Sequence, residues 1–290
     1  MAIKVLLTGA SGFVGGRFMK DQGQHFEIQT VDLRKSTPES LDMSGIHSIV
    51  HCAALVHQMQ GAPEEKYFDI NTELTRRLAQ RAKDQGVKQF IFLSTAHVFG
   101  DSGTLKNPAP SLNEGTPCHP KDAYGRSKLE AEKNLLEMKS ENFVVTIIRP
   151  PMVYGKGAKG NLLALAKLVR VAPFLPLKYT LNQRSVIYVG NLCHFIGLAI
   201  QAKKSGIFLP QDPQPLSIAE LVDGIAKAMD KKTHLFALPF FFYRILFNAV
   251  PSISLRLFGS LALDSKGSNT ALNYKAPYST QEGLRDMFSQ

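Results

Sequence analysis

Ala2-Ile3-Lys4-Val5-Leu6-Leu7-Thr8-Gly9-Ala10-Ser11-Gly12-Phe13-Val14-Gly15 is the stretch that decides the fold. An apolar run of strand formers over 2–7 breaks at a glycine cluster, and an apolar and basic segment over 13–20 then reads as helix. Strand, glycine turn and helix in that order make a dinucleotide-binding turn. Gly9 takes backbone angles closed to other residues, Gly12 lets a diphosphate approach the main chain, and Gly15 lets the helix lie against the strand. The N–H groups that begin the helix, from Ser11 through Phe13 and Val14, face the anion. Residues 28–31 read as a second strand that ends at Asp32. That carboxylate lies about twenty residues beyond the glycines, where it accepts hydrogen bonds from an adenosine ribose. NAD is therefore the expected cofactor. Arg34 and Lys35 next to Asp32 also suit the 2′-phosphate of NADP, which stays open as the alternative.

Farther along, Tyr124-Gly125-Arg126-Ser127-Lys128 opens a segment, 125–138, of strongly helix-forming composition. A spacing of four puts Tyr124 and Lys128 on one helix face. An ammonium beside a phenol stabilises the phenolate and lowers the tyrosine pKa from about 10 toward working pH. Tyr124 then fits a general acid or base, with Lys128 as its partner. Together with the glycine turn, the pair points to a dinucleotide-dependent redox enzyme.

Strand-like runs over 2–7, 28–31, 46–51, 90–94 and 143–149 alternate with helix-like stretches. That is the pattern of a parallel sheet covered on both faces. The expected fold class is α/β: a Rossmann-like doubly wound parallel sheet with a smaller, discontinuous C-terminal substrate lobe. Residues 1–160 plus 185–209 are assigned to the dinucleotide-binding domain and 161–184 plus 210–290 to the lobe, with 185–208 returning to complete the sheet and pack a helix on it. Pro150 and Pro151 end the buried strand before them. Ser217 and Glu220 have capping-box spacing at the head of a helix over 217–229. A chain of 290 residues with 44% apolar content is long enough to bury a substantial core and a smaller lobe.

These motifs resemble those of the extended short-chain dehydrogenase/reductases, the NAD-dependent epimerase/dehydratase group that acts mostly on nucleotide sugars. Thr8 to Gly15 resembles the family's T-G-x-x-G-x-x-G. Ile49-Val50-His51-Cys52-Ala53-Ala54 resembles its V-I-H-x-A-A strand end, which borders the cofactor, and Asn71-Thr72 its helix-opening asparagine. Phe90 to Gly100 resembles the strand and loop that bring Ser94 to the cofactor and supply a catalytic Ser or Thr, here Thr95. Ile148-Arg149-Pro150-Pro151-Met152-Val153-Tyr154-Gly155 resembles the R-P-x-x-V-Y-G segment beside the nicotinamide, and Asp264-Ser265-Lys266 with Pro277, Glu282 and Gly283 resembles the closing segment.

The resemblance implies a catalytic set of Thr95, Tyr124 and Lys128. It implies cofactor contacts from Gly9, Ser11, Gly12, Phe13, Val14, Gly15, Asp32, Arg34, Cys52, Ala53, Ala54, Asn71, Ser94, Pro150 and Val153, joined by Tyr124 and Lys128. Substrate contacts are expected from Thr95, Tyr124, Asn161 and Arg184, with Arg184 meeting the diphosphate. No metal is expected. Asp42 is the candidate for contacting adenine, and Asn191 stands where many relatives carry aspartate.

Sugar 4,6-dehydratases of this group resemble Ser-Thr-Asp-Glu in the catalytic loop, whereas this chain has Ser94-Thr95-Ala96-His97. Alanine cannot protonate a leaving hydroxyl, so hydride chemistry at one carbon is expected, with His97 a structural donor. The resemblance leans toward reduction of a UDP-4-keto-6-deoxy-hexosamine in capsule or O-antigen synthesis, on Ala53-Ala54-Leu55-Val56-His57, Gln89 to Gly100 and Asn182-Gln183-Arg184-Ser185. The alternative is a UDP-glucose or UDP-N-acetylglucosamine 4-epimerase. A non-catalytic dinucleotide-binding sensor or scaffold ranks third, since such proteins commonly lack the Tyr or Lys retained here.

Formal net charge is +10, but Lys and Arg form no basic block and no nucleic-acid module is recognisable, so no nucleic-acid partner is expected. Cys52, Cys118 and Cys193 are far apart, without metal spacing, and fit a reducing cytoplasm. The opening residues show no secretory signal. The Phe- and Leu-rich stretch 235–250 is interrupted by Pro239 and Arg244 and is too short to span a bilayer, so a helical hairpin packed on the substrate lobe is expected rather than a membrane anchor. The resemblance implies a homodimer through the helices near Asn71 and Tyr124, with Leu74, Leu78, Leu129 and Leu136 as candidates for its apolar surface.

Overall fold

Val5, Leu7, Ile49, Phe90, Phe92, Val145 and Ile147 all sit on strands and are sealed from solvent, which requires cover on both faces of one sheet. The computed structural model describes residues 2–56, 62–100, 111–158, 160–178, 182–237 and 260–289. Its elements in chain order are β1 (Lys4–Thr8), α1 (Phe13–Gln22), β2 (Glu27–Val31), β3 (Ser48–His51), α2 (Glu64–Phe68), α3 (Leu74–Asp84), β4 (Gln89–Leu93), α4 (Ala123–Met138), β5 (Val144–Ile148), β6 (Met152–Tyr154), α5 (Asn161–Val171), β7 (Phe174–Leu175), β8 (Val186–Tyr188), α6 (Val189–Ala202), β9 (Gly206–Phe208), α7 (Ile218–Ala228), β10 (His234–Leu235), α8 (Lys266–Leu272) and α9 (Thr280–Phe288). A π-helical turn, Asp69–Glu73, joins α2 to α3.

Six parallel strands stand in the order β2-β1-β3-β4-β5-β9, the Rossmann-like doubly wound arrangement expected from the sequence. Strand order reverses between β1 and β3, so a crevice opens beyond their carboxyl ends, where Thr8 pairs in register with His51. The two residues also meet through their side chains. Thr8 Oγ1 lies 2.7 Å from His51 Nδ1, and His51 Nε2 lies 2.9 Å from Thr75 Oγ1, tying both strands to α3. Burial brings the His51 pKa down to about 3, so the ring is a neutral strut.

The return to the sheet differs in detail from the sequence expectation. β8 does not enter the main sheet; it pairs with β6, Val153 opposite Ile187, in a separate two-stranded ribbon. The sixth strand comes only after α6, as β9 beside β5. Pro150 and Pro151 lack the N–H that a ladder needs, so the chain leaves the sheet there and runs across to meet β8. Helix α6 is apolar nearly all round and is buried along Leu192, Cys193, Phe195 and Ile196.

Beyond the sheet, α7 begins at the expected capping box of Ser217 and Glu220, and a second box, Ser279 with Glu282, starts α9. Leu78 lies in the core with Leu135, and Leu129 packs on the small cluster around Phe99. Of the four leucines considered for an apolar surface, Leu136 alone is exposed, at 37%. His57 and residues 238–250 of the Phe- and Leu-rich stretch lie outside the described residues.

Candidate active site

The glycine turn is built as the sequence reading requires. Gly9 has φ +73, and a Cβ on it would fall 2.7 Å from the Ala53 nitrogen at the end of β3. A Cβ on Gly15 would fall 2.2 Å from the Gly9 carbonyl oxygen, so α1 can reach this close to β1 only through glycine. Gly12 caps α1 without any side-chain hydrogen bond, which leaves the first-turn N–H groups of Phe13, Val14 and Gly15 for an anion. Ala53 N donates to Thr8 Oγ1 at 3.2 Å, fixing the Cys52-Ala53-Ala54 wall of the crevice. Burial pushes the Cys52 thiol up to about 12, which makes it an inert wall residue rather than a nucleophile.

Past β2, Asp32 and Arg34 grip one another: Arg34 Nε and Nη2 reach the Asp32 carboxylate at 2.9 and 2.8 Å, and Arg34 N adds 3.0 Å. These bonds hold Asp32 at about 2, ionised and available as an acceptor. The same pairing sets the Arg34 guanidinium beside the Asp32 carboxylate, so both candidates for choosing between NAD and NADP occupy one spot. Asp42, the adenine candidate, closes a local turn on Ser44 N and Oγ at 2.9 and 2.6 Å.

Thr95 and Tyr124 come together across the crevice. The strand β4 ends at Leu93, and the loop after it is laced to the start of the proline segment: Ser94 N donates to Ile148 O at 2.7 Å and Ala96 N to Pro150 O at 2.9 Å. Thr95 is 6% exposed, and its hydroxyl comes close enough to the Tyr124 phenol to favour the phenolate. Asp122 caps α4 by accepting from Gly125 N at 2.7 Å, which sets the first helical turn and with it Tyr124. His97 lies edge-on to the Tyr124 ring, with centroids 6.1 Å apart, and its Nδ1 is 4.0 Å from the Asp122 carboxylate. Ala96 is 1% exposed and brings no acid with which to protonate a leaving hydroxyl.

The electrostatics run opposite to the sequence expectation of an acidified phenol. Burial pushes Tyr124 up to about 12, with the Thr95 hydrogen bond pulling the other way and the Asp122 carboxylate adding to the rise. Lys128 does follow Tyr124 by one helical turn, but it is 1% exposed, with its amine 4.1 Å from the centre of the Phe92 ring. Burial lowers that amine to about 7, and Glu132 opposes the shift. Spacing alone registers that the two side chains share a face, not that the lysine is itself desolvated.

Several cofactor candidates act here as braces. Asn71 spends its amide on Leu55 N at 2.8 Å, Leu55 O at 3.0 Å and Ser127 Oγ at 3.0 Å, and Ser127 Oγ donates to Tyr124 O at 2.9 Å. Thr72 Oγ1 donates to Ser127 O at 2.8 Å. The π-helical turn thereby fixes the tyrosine helix. Ser94 Oγ donates to Glu132, which forms a buried bidentate pair with Arg149, 2.6 Å at its shortest. Pro150 and Val153 follow directly, Val153 half-buried on β6. Asn161 is the first residue of α5, and Arg184 links its backbone to Leu216 and Leu261 in the lobe. Sequence reading passed over Ser127, Glu132 and Asp122. Ser127 and Glu132 carried a signal only in hindsight, as polar residues on the inward face of a helix; Asp122 preceding a helix is an ordinary cap signature.

Known proteins resemble this chain over nearly its whole length. The UDP-glucose 4-epimerase of Vibrio cholerae is 36% identical over 98% of this chain and 94% of its own length. The N-acetyl-alpha-D-glucosaminyl-diphospho-ditrans,octacis-undecaprenol 4-epimerase of Escherichia coli O157:H7 is 28% identical, covering 97% of this chain and 92% of that protein. The crystal structure of UDP-N-acetylglucosamine 4-epimerase from Bacillus cereus shares the fold with a TM-score of 0.77 at 17% identity, over 99% of this chain and 98% of the other. The profile of the family described as "NAD dependent epimerase/dehydratase family" matches residues 5–209, a span that holds the glycine turn, Thr95, Tyr124 and Lys128. By that match and by the Vibrio relative, the chain belongs to the NAD dependent epimerase/dehydratase family, a family of NAD(P)-dependent enzymes.

Proposed function

We propose that the protein is a 4-epimerase of a UDP-linked hexose or N-acetylhexosamine. The observation that carries this reading is the 36% identity with a UDP-glucose 4-epimerase over nearly the whole of both chains. It displaces the reductase reading from first place, since a 4-keto reductase needs the same Thr95, Tyr124 and Lys128 and the visible chemistry does not separate the two. The buried Ala96 supports either over dehydration.

In this reading the uncapped start of α1 and the Gly9–Gly12 turn hold the diphosphate of the dinucleotide, and Asp32 its ribose. The bound nicotinamide supplies a hydride acceptor and donor. As the phenolate, Tyr124 takes the proton of the C4 hydroxyl, and as the phenol it returns that proton to the ketone oxygen at C4; burial, which pushes the phenol up to about 12, opposes the first of these steps and favours the second. Thr95 shares the hydrogen bond that orients that oxygen. Lys128, one helical turn away, supports the phenolate in its protonated form, which a phenolate beside it would in turn favour against burial. Arg184 meets the substrate diphosphate from the lobe.

The E. coli relative supports a second substrate class, a polyprenyl-diphosphate-linked N-acetylhexosamine, which presents the same sugar-diphosphate unit. One assay tests the whole reading. Purified protein is given UDP-glucose, UDP-N-acetylglucosamine, a UDP-4-keto-6-deoxy sugar, or a short polyprenyl-diphosphate-linked N-acetylglucosamine, each with and without NADH or NADPH. Epimer formation without added reduced cofactor is the expected result. Stoichiometric oxidation of reduced cofactor by the keto sugar alone makes the protein a reductase.

A further inference from the structure

Acids, rather than bases, are unevenly placed along this chain. No Asp or Glu occurs between Glu141 and Asp212, and none between Asp230 and Asp264, while Lys167, Arg170, Lys178, Lys231 and Lys232 fall inside those windows. The two windows meet in space. β7 and β10 pair in parallel, Phe174 beside His234 and Leu175 beside Leu235. Phe236 N donates to Leu175 O at 3.0 Å and Lys178 N to Phe236 O at 3.2 Å, so the ribbon continues past both strands.

This ribbon and the adjoining end of α5 turn large apolar side chains to solvent. Val171 is 76% exposed, Phe174 63%, Phe236 42% and Leu168 37%. Phe174 stacks on the His234 ring at 5.5 Å, which holds both at the surface. Lys167 and Arg170 interleave with Leu168 and Val171 along α5, and Lys178, Lys231 and Lys232 are exposed beside the ribbon. Isolated exposed apolar residues are ordinary, but a cluster of them interleaved with exposed cations along two stretches of chain that hold no acid is not.

We propose that this face of the substrate lobe docks on an anionic lipid bilayer. Aromatic and aliphatic side chains enter the headgroup boundary while lysine and arginine stems run along it with their charges at the phosphates, and the two attractions together hold what neither holds alone. A second copy of this chain is a poor occupant, because a two-fold contact would set like charges against one another. Among the described residues no helix is long and apolar enough to cross a membrane, and the attachment proposed is interfacial.

Flotation of the full chain with phosphatidylcholine vesicles, with and without phosphatidylglycerol, tests this. The chain is expected to float with the anionic vesicles and to be released by salt. The double substitution Val171→Glu with Phe174→Glu, at two solvent-facing positions, is expected to cut the bound fraction about tenfold and to leave turnover of a soluble UDP-sugar unchanged. No flotation, equal flotation on neutral vesicles, or flotation untouched by the double substitution overturns the proposal. Light scattering that shows self-association lost in the double variant assigns the face to a second copy and overturns it too. The catalytic reading is independent: a chain that floats without epimerising keeps this inference and loses the other.

Discussion

Lys128 shows how far burial can move a residue from its ordinary behaviour. Its amine falls from 10.5 to about 7, so between those values the unfolded chain binds a proton there that the folded chain does not. Stability therefore rises with pH across that window, and below about 7 the penalty is constant and at its largest. Lys128→Met should raise the melting temperature at neutral pH, flatten its rise from about 7 to 10.5, and abolish turnover. A melting series against pH checks it; a lower melting temperature for the variant at neutral pH would contradict the assignment. The pairing of Tyr124 with Lys128 was legible from a spacing of four. The direction of both shifts was not, because desolvation depends on Phe92, Cys52 and His51, which arrive from other strands.

Single elements show a sharper division between what local sequence fixes and what packing adds. The β1–α1 turn could be read directly, because each glycine answers a local geometric demand. Gly15→Ala is expected to cost roughly 1–3 kcal/mol through overpacking and to weaken dinucleotide binding, since its Cβ would strike the Gly9 carbonyl. Denaturant melts and a cofactor titration measure both effects. Helix α4 was legible in extent but not in what it buries. Glu132→Ala leaves Arg149 charged and enclosed, with a side chain 4% exposed, and a stability loss of about 3–5 kcal/mol is expected in urea melts. Replacing both partners by apolar residues should recover most of it. The placement of β8 escaped the sequence because a short apolar run suits either sheet. Only the prolines ahead of β6 favoured the separate ribbon.

At the scale of the whole molecule, the alternation of strand-like and helix-like runs sufficed for the doubly wound sheet, because parallel strands buried on both faces leave continuous apolar runs. The lobe was harder to read. Its short strands pair across long sequence separations, β7 with β10 and Arg184 with Leu216 and Leu261, and no local period marks such contacts. Arg184 tests whether that assembly serves the substrate: Arg184→Ala should raise KM for the UDP-sugar roughly ten- to hundredfold with dinucleotide affinity unchanged. An unaltered KM in steady-state assays would remove it from the site.

Asp212 receives Tyr154 Oη at 2.6 Å, Asn191 Nδ2 at 2.8 Å, the Tyr188 amide at 3.0 Å and Thr280 Oγ1 at 3.2 Å, joining β6, β8, α6 and α9. Aspartate at position 191 would set two carboxylates within hydrogen-bonding distance, one of them forced to keep a proton, and would strip Tyr278 O of its donor. Moving the negative charge from 212 to 191 without a shared proton therefore requires that both side chains be exchanged. Where a relative of this chain carries aspartate at the position of 191, the residue at the position of 212 is expected to have surrendered its own.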